Sequence, residues 1–207
     1  MIALIDYGAG NLRSVQKALV YVGADVRIFR TPQGIEESKG IVLPGVGAFD
    51  DCVNALIHQN LFQTILNCIN KGMPFLGICI GYQVLFEKSE EFNSSARGLS
   101  IFKGNVVKFT QKPQFKIPQI GWNQVELARP NCPLFRAIPD KSYFYFVHSY
   151  YPKPADQSIV VGWTDYADRF ASAVWKENVF AVQFHPEKSQ NAGLKLLKNF
   201  VEFAETH

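Results

Sequence analysis

Gly77-Ile-Cys-Ile-Gly-Tyr-Gln83 places one cysteine between two glycines, after an apolar run and before a helix-like stretch. A thiol at such a strand-to-helix turn is a candidate nucleophile, and the pattern is a G-x-C-x-G version of a nucleophile elbow. The glycines have a physical reason: side chains at Gly77 or Gly81 would clash across a turn tight enough to strain Cys79. A helix starting just after Cys79 puts partial positive charge near the sulfur and favours the thiolate. The Ile80 N–H would point at the carbonyl under attack.

A nucleophile needs a base. Of four histidines, His58 and His207 read as surface residues and His148, in "YFVHSYY", as a satisfied strand histidine. His185 ends the β-rich run "VFAVQFHPE", and Pro186 restricts it to an extended backbone. Residues two apart in an extended chain point the same way, so Glu187 can bond one imidazole nitrogen and leave the other for the thiol. Cys79 and His185 stand 106 positions apart, so their meeting is inferred. "LPGVGAF" (43–49) offers freed backbone N–H groups around Val46 and Gly47 for an anionic oxygen, or is simply a glycine-rich turn. "DYGAGN" (6–11) is neither G-x-G-x-x-G nor a P-loop, which argues against a nucleotide phosphate site.

These residues need a scaffold. "IALID", "ADVRIF", "GIVLPG" and "PFLGICI" read as buried strands. A helix follows the first of these, with Leu12, Val15, Leu19 and Val22 at helical spacing, and a helical region runs from the third to about Asn70. "GYQVLFEKSEE" reads as a helix. This alternation predicts an α/β fold with a doubly wound, parallel sheet, whose active site lies at the carboxyl ends of the strands. From about Ser95 the segments turn β-rich, and a helix with Leu196, Leu197, Phe200, Val201 and Ala204 on one stripe closes the chain. No linker or repeat divides it, so one domain over 1–207 is expected.

Composition narrows the rest. The 207 residues are 47% hydrophobic and 19% charged, enough for a well-buried core. A net charge of +3 without an arginine-rich run argues against nucleic acid. No apolar stretch reaches the ~18 residues of a membrane span, and the start lacks a basic signal-peptide region, so a cytoplasmic protein is expected. Cys52, Cys68 and Cys132 show no metal-ligand spacing and read as reduced core thiols. Arg97, Lys103, Lys108, Lys112 and Lys116 form a basic ribbon with no acidic residue between Glu91 and Glu126, either a solvated surface or a face for an acidic or phosphorylated partner.

"PGVGAF", "GICIGYQ" and "QFHPEKS" together resemble class I (triad-type) glutamine amidotransferases. "DYGAGNLRSV", "LFEKSEE", "GLSIFKGNVVKF", "IGWNQV" and "YFVHSYY" extend the likeness, over nearly the whole chain, to the glutaminase subunits of imidazole glycerol phosphate synthase. The resemblance implies an open, mostly parallel central sheet flanked by helices, with β-rich additions in the second half. It implies Cys79 as nucleophile, His185 as acid and base, and Glu187 as its orienter. Val46, Gly47 and Ile80 would supply oxyanion-hole N–H groups. Gly45, Gln83, Glu91, Ser149 and Tyr150 would hold glutamine. It implies no metal or cofactor, and a (β/α)₈ cyclase subunit as heterodimeric partner, met by Asn11, Gln119, Trp122, Asn123, Tyr145 and Lys188. Ammonia would pass through that barrel to make imidazole glycerol phosphate and aminoimidazole carboxamide ribotide.

Gln119 and Ile120 replace the family's His-Met, and Ile80 and Tyr82 depart from its Leu-Gly-Met. Such departures would also fit a paralogue that supplies a sugar amidotransferase of surface polysaccharide synthesis. A cysteine hydrolase of related fold would share the elbow and the histidine, but would not need Gln83, Glu91 or the tryptophan segment.

Overall fold

The computed structural model describes residues 1–9 and 11–207. Short apolar runs form the strands of its centre: β1 (Ile2–Ile5), β2 (Val26–Phe29), β3 (Gly40–Leu43) and β4 (Phe75–Ile78). β1, β3 and β4 are buried along their whole length, as strands covered by helices on both faces must be. The covering helices include α1 (Leu12–Tyr21), α2 (Phe49–His58) and α3 (Leu61–Asn70). Each buries one apolar stripe, through Val15, Ala18 and Leu19 in α1 and Leu61, Ile65 and Cys68 in α3. The helical region after β3 is thus two helices, broken where Asn60 takes a φ of 58°.

A four-residue helix, α4 (Ile80–Gln83), follows β4. The longer helix expected from "GYQVLFEKSEE" does not form. Val84, Leu85 and Phe86 are all fully buried, so no polar face remains for a surface helix. Their carbonyls serve other segments: Leu99 N–H donates to Val84 and Phe102 N–H to Leu85. The chain then pairs as β5 (Lys88–Ser89) and makes a 3₁₀ turn over Glu91–Asn93. Tertiary burial overrides local helix propensity here.

The second half supplies β6 (Gly104–Lys108), β7 (Gln119–Leu127), β8 (Ser142–His148), β9 (Tyr150–Pro154), β10 (Val160–Asp165), β11 (Arg169–Lys176) and β12 (Val179–Val182), then α5 (Gln190–Thr206). Nine strands form one sheet in the order β2-β1-β3-β4-β12-β11-β10-β7-β8, and β5-β6-β9 form a second. The large sheet is mixed. It is parallel from β2 to β12 and antiparallel from β12 to β8. The stripe expected on the last helix packs inward, with Leu196, Leu197, Phe200, Val201 and Ala204 all buried. No helix among the described residues is long and apolar enough to cross a membrane.

Candidate active site

Three neighbouring parallel strands, β3, β4 and β12, end at one place. Register explains the meeting of residues far apart in sequence. Gly77 pairs with both Leu43 and Ala181, and Ile78 with Val182. One step beyond, the Cys79 N–H still donates to the Val182 carbonyl (2.9 Å). The residues after β12 therefore run alongside the Cys79 turn, and those after β3 flank its other side.

Cys79 has φ 56° and ψ −105°, a strained conformation for a non-glycine residue. Side-chain carbons at Gly77 and Gly81 would collide with the Gly81 and Leu43 carbonyl oxygens, so only glycine permits this elbow. Ile80 is the first residue of α4, where the N–H has no carbonyl within the helix to bond. On the β3 side, Val46 is 39% exposed and Gly47 has φ 101°.

His185 and Glu187 are joined as expected, Nδ1 to Oε1 at 2.8 Å, with both side chains almost fully buried. Pro186–Lys188 form a 3₁₀ turn where a continued extended chain was expected, and the turn still brings Glu187 back onto the ring. His185 N–H donates to the Tyr145 carbonyl (2.9 Å), so β8 returns beside the end of β12. Ser189 Oγ donates to the His185 carbonyl (2.6 Å) and accepts from Tyr145 N–H (3.0 Å). This buried serine fixes the turn, and the sequence reading missed it.

Burial alone would push the His185 pKa down. The charge and proximity of Cys79, together with the Glu187 carboxylate, outweigh it and push the imidazole up to about 10. Nε2 nevertheless has no partner of regular hydrogen-bond geometry among the described residues. By contrast, burial pushes Cys52 up to about 12 and Cys132 up to about 11, which keeps both as protonated, unreactive thiols. All four cysteines are free.

A pocket of about 400 Å³ opens onto the elbow. Val46, Gly47, Cys79, Ile80, Gln83, Glu91, Ser149, Tyr150 and Lys188 all line it, which brings together most of the expected site. Gly45 packs behind, against Ile80 and the Tyr7 hydroxyl. A larger cleft of about 560 Å³ lies near Pro74, where β4 begins, away from Cys79 and His185. Gln83 is buried. Its Nε2 donates to the Tyr150 carbonyl (3.0 Å), and its Oε1 has no partner among the described residues. Glu91 Oε2 accepts from Phe49 N–H at the start of α2 (2.8 Å), and burial raises its pKa. The Ser149 carbonyl accepts from Phe109 N–H, and the Tyr150 carbonyl accepts from Gln83 Nε2 and faces His148 Nδ1.

His148 is a satisfied buried histidine, its Nδ1 2.8 Å from the Tyr150 carbonyl and its Nε2 3.0 Å from Gln119 Oε1. A carbonyl can only accept, so Nδ1 carries the proton. Nε2 then accepts, and Gln119 must turn its amide NH₂ toward the ring, the flipped orientation. Burial first, and then the His185 charge, lower the His148 pKa to about 3, against support from the Tyr150 carbonyl.

Gln119, expected at a partner face, is instead buried and turned inward. The face itself exists. Trp122 pairs with Tyr145, Gln124 with Tyr143 and Ile120 with Val147, and Ile120, Trp122 and Tyr143 are exposed. Lys188 extends over the Tyr145 ring, next to Trp122. Asn123 donates to the Asp165 carbonyl, and Asn11 is exposed and accepts from the Ser14 hydroxyl. Of the basic ribbon, Lys112 is drawn to Asp168 and Lys108 lies over Tyr150, while Arg97, Lys103 and Lys116 are exposed.

Comparisons with known proteins agree with this geometry. A family profile described as glutamine amidotransferase class-I matches residues 3–203. The imidazole glycerol phosphate synthase subunit HisH of Syntrophotalea carbinolica is 48% identical over 205 residues, covering 97% of this chain and 98% of that protein. The subunit of the same name from Methanocaldococcus jannaschii is 49% identical over 202 residues, covering 98% and 99%. Among solved structures, a glutamine amidotransferase superposes with TM-score 0.76 at 17% identity, over 99% of this chain and all of that one. PurLQS from Thermotoga maritima gives 0.78 at 17%, covering 98% and 97%. The structures support the fold, and the sequence relatives place the chain more finely. The chain belongs to the class I glutamine amidotransferases, in the group of imidazole glycerol phosphate synthase HisH subunits.

Proposed function

We propose that this chain, acting as one domain over 1–207 in the cytoplasm, hydrolyses glutamine and passes the ammonia to a (β/α)₈ cyclase subunit of imidazole glycerol phosphate synthase in histidine biosynthesis. The observation that carries the reading is the alignment of β4 and β12, which sets Cys79 beside a histidine already held by Glu187.

The chemistry follows from the charges. A protonated His185 beside Cys79 favours a thiolate, which attacks the γ-amide carbon of glutamine. The C–N bond breaks as His185 donates its proton to the departing nitrogen, leaving a γ-glutamyl thioester and free ammonia. His185 then takes a proton from water, the hydroxide attacks the thioester carbon, and glutamate leaves as the thiolate re-forms. Each tetrahedral intermediate carries an oxyanion, met by the Ile80 N–H and an N–H of the Val46–Gly47 segment. Glu187 orients the ring throughout. Gln83 Oε1 and the Glu91 carboxylate are acceptors suited to the substrate ammonium, with Gly45, Ser149 and Tyr150 completing the wall.

The exposed apolar strip of Ile120, Trp122 and Tyr143, continued by Tyr145 and Lys188 and flanked by Asn11 and Asn123, supports a docking face for the cyclase. Gln119 would act from beneath it. Full-length relatives at 48–49% identity favour this partner over a sugar amidotransferase. The test is ammonia release from glutamine by the chain with a cyclase subunit carrying its substrate. Cys79→Ala is expected to lower the rate about 10⁴-fold or more. A variant that keeps its rate overturns the proposal.

A further inference from the structure

We propose that Gln183 is a positioning residue that donates a hydrogen bond to the Cys79 sulfur and ties the nucleophile to the substrate-side amide of Gln83. Gln183 is fully buried one residue beyond β12, level with Cys79. Its Nε2 lies 3.6 Å from Cys79 Sγ, and its Oε1 lies 3.2 Å from Gln83 Nε2.

The direction of every bond in this row is fixed by one backbone group. The Tyr150 carbonyl can only accept, so Gln83 must present its NH₂ there. That same nitrogen lies against Gln183, which must therefore answer with its oxygen. The Gln183 NH₂ is left on the other side, against the sulfur. A donor at this position favours thiolate over thiol, because only the charged form is a strong acceptor. The other end of the row is open: Gln83 Oε1 is buried with no partner among the described residues, in a residue that lines the pocket. A ligand that donates to this oxygen polarises Gln83 and, through it, the Gln183 N–H on the sulfur. Filling the site and activating the nucleophile are then one event.

The proposal rests on Cys79 as the nucleophile, so its test reads the sulfur without glutamine. Alkylation of Cys79 by iodoacetamide in the full-length chain is followed against pH by peptide mass spectrometry, with buried Cys52, Cys68 and Cys132 as internal markers of folding. Gln183→Met keeps the volume and removes the donor. Its Cys79 should react about tenfold more slowly at neutral pH, with the difference vanishing in alkali, where the thiol ionises unaided. Gln183→Glu sets a carboxylate against the sulfur and should slow the reaction further. This second variant decides the question if the methionine variant does not fold. A folded variant with the wild-type pH profile overturns the role of Gln183. Glutamine hydrolysis surviving in Cys79→Ala would instead overturn the catalytic reading beneath it.

Discussion

Two glycine-bearing loops stand side by side at the strand ends, and they are built in opposite ways. Around Cys79 the backbone is locked: positions 77 and 81 press against carbonyl oxygens, and no side chain fits at either. The 44–47 loop is packed at Gly45, against Ile80 and the Tyr7 hydroxyl, but open at its tip. Val46 is partly exposed, and a side-chain carbon at Gly47 would meet nothing within 4 Å. Cys79 is therefore set by the fold before any ligand arrives, together with the proposed Ile80 donor beside it, whereas the proposed donor at Val46–Gly47 sits on a tip with room to reorient. Rigidity is placed where the proposed nucleophile is held, and room is left at the neighbouring tip.

The sharpest way to break this contrast is Gly81→Ala. The added carbon meets the Leu43 backbone, which cannot yield without moving β3, so a loss of more than about 4 kcal/mol is expected. Equilibrium urea unfolding measures it, and a fold that tolerates alanine there would show the elbow to be soft.

The pocket wall opposite the loop gives a second measure of rigidity. His148 holds a folded pKa of about 3 against an unfolded value near 6.5, so the unfolded chain takes up a proton that the folded chain refuses. This contribution is whole above about pH 6.5 and is lost as pH falls toward about 3, by up to about 1.4 kcal/mol per unit. Unfolding free energies measured from pH 7 to 4 should fall less steeply in His148→Gln. Equal slopes would mean that the wall opens to admit the proton.

Gly47→Ala should have the smallest effect on stability, about 1 kcal/mol, because only its positive φ resists a side chain. Glutamine turnover should nonetheless fall about 10²-fold if this segment aims an oxyanion donor. Ammonia release and thermal unfolding on one sample separate the two, and a stability loss as large as that of Gly81→Ala would erase the contrast.

The locked side of the site was the more legible in sequence. Two glycines around a cysteine, after an apolar run, described a turn whose sterics depend on a few adjacent residues. His185 and Glu187 were legible for the same local reason, although Pro186 begins a 3₁₀ turn and not an extension. The β4–β12 register that joins them to Cys79 is a long-range fact that periodicity does not carry. Gln183 stands two residues before His185 at a strand end, where alternate side chains share a side, so the signal was present and unread. The stretch after Gln83 went wrong because burial of Val84, Leu85 and Phe86 comes from distant segments. Gln119 was misplaced outward because its inward turn depends on pairing with His148 across two strands.

The turn from His185 to Ser189 has a consequence outside catalysis. β8 is the last strand of the large sheet, and such edges recruit other chains through unpaired backbone groups. At Tyr145 both groups are taken, the N–H by Ser189 Oγ and the carbonyl by His185 N–H. The segment that carries His185 thus also occupies this position of the edge strand. Its loss would free both groups for another chain, and aggregation during expression is the expected sign.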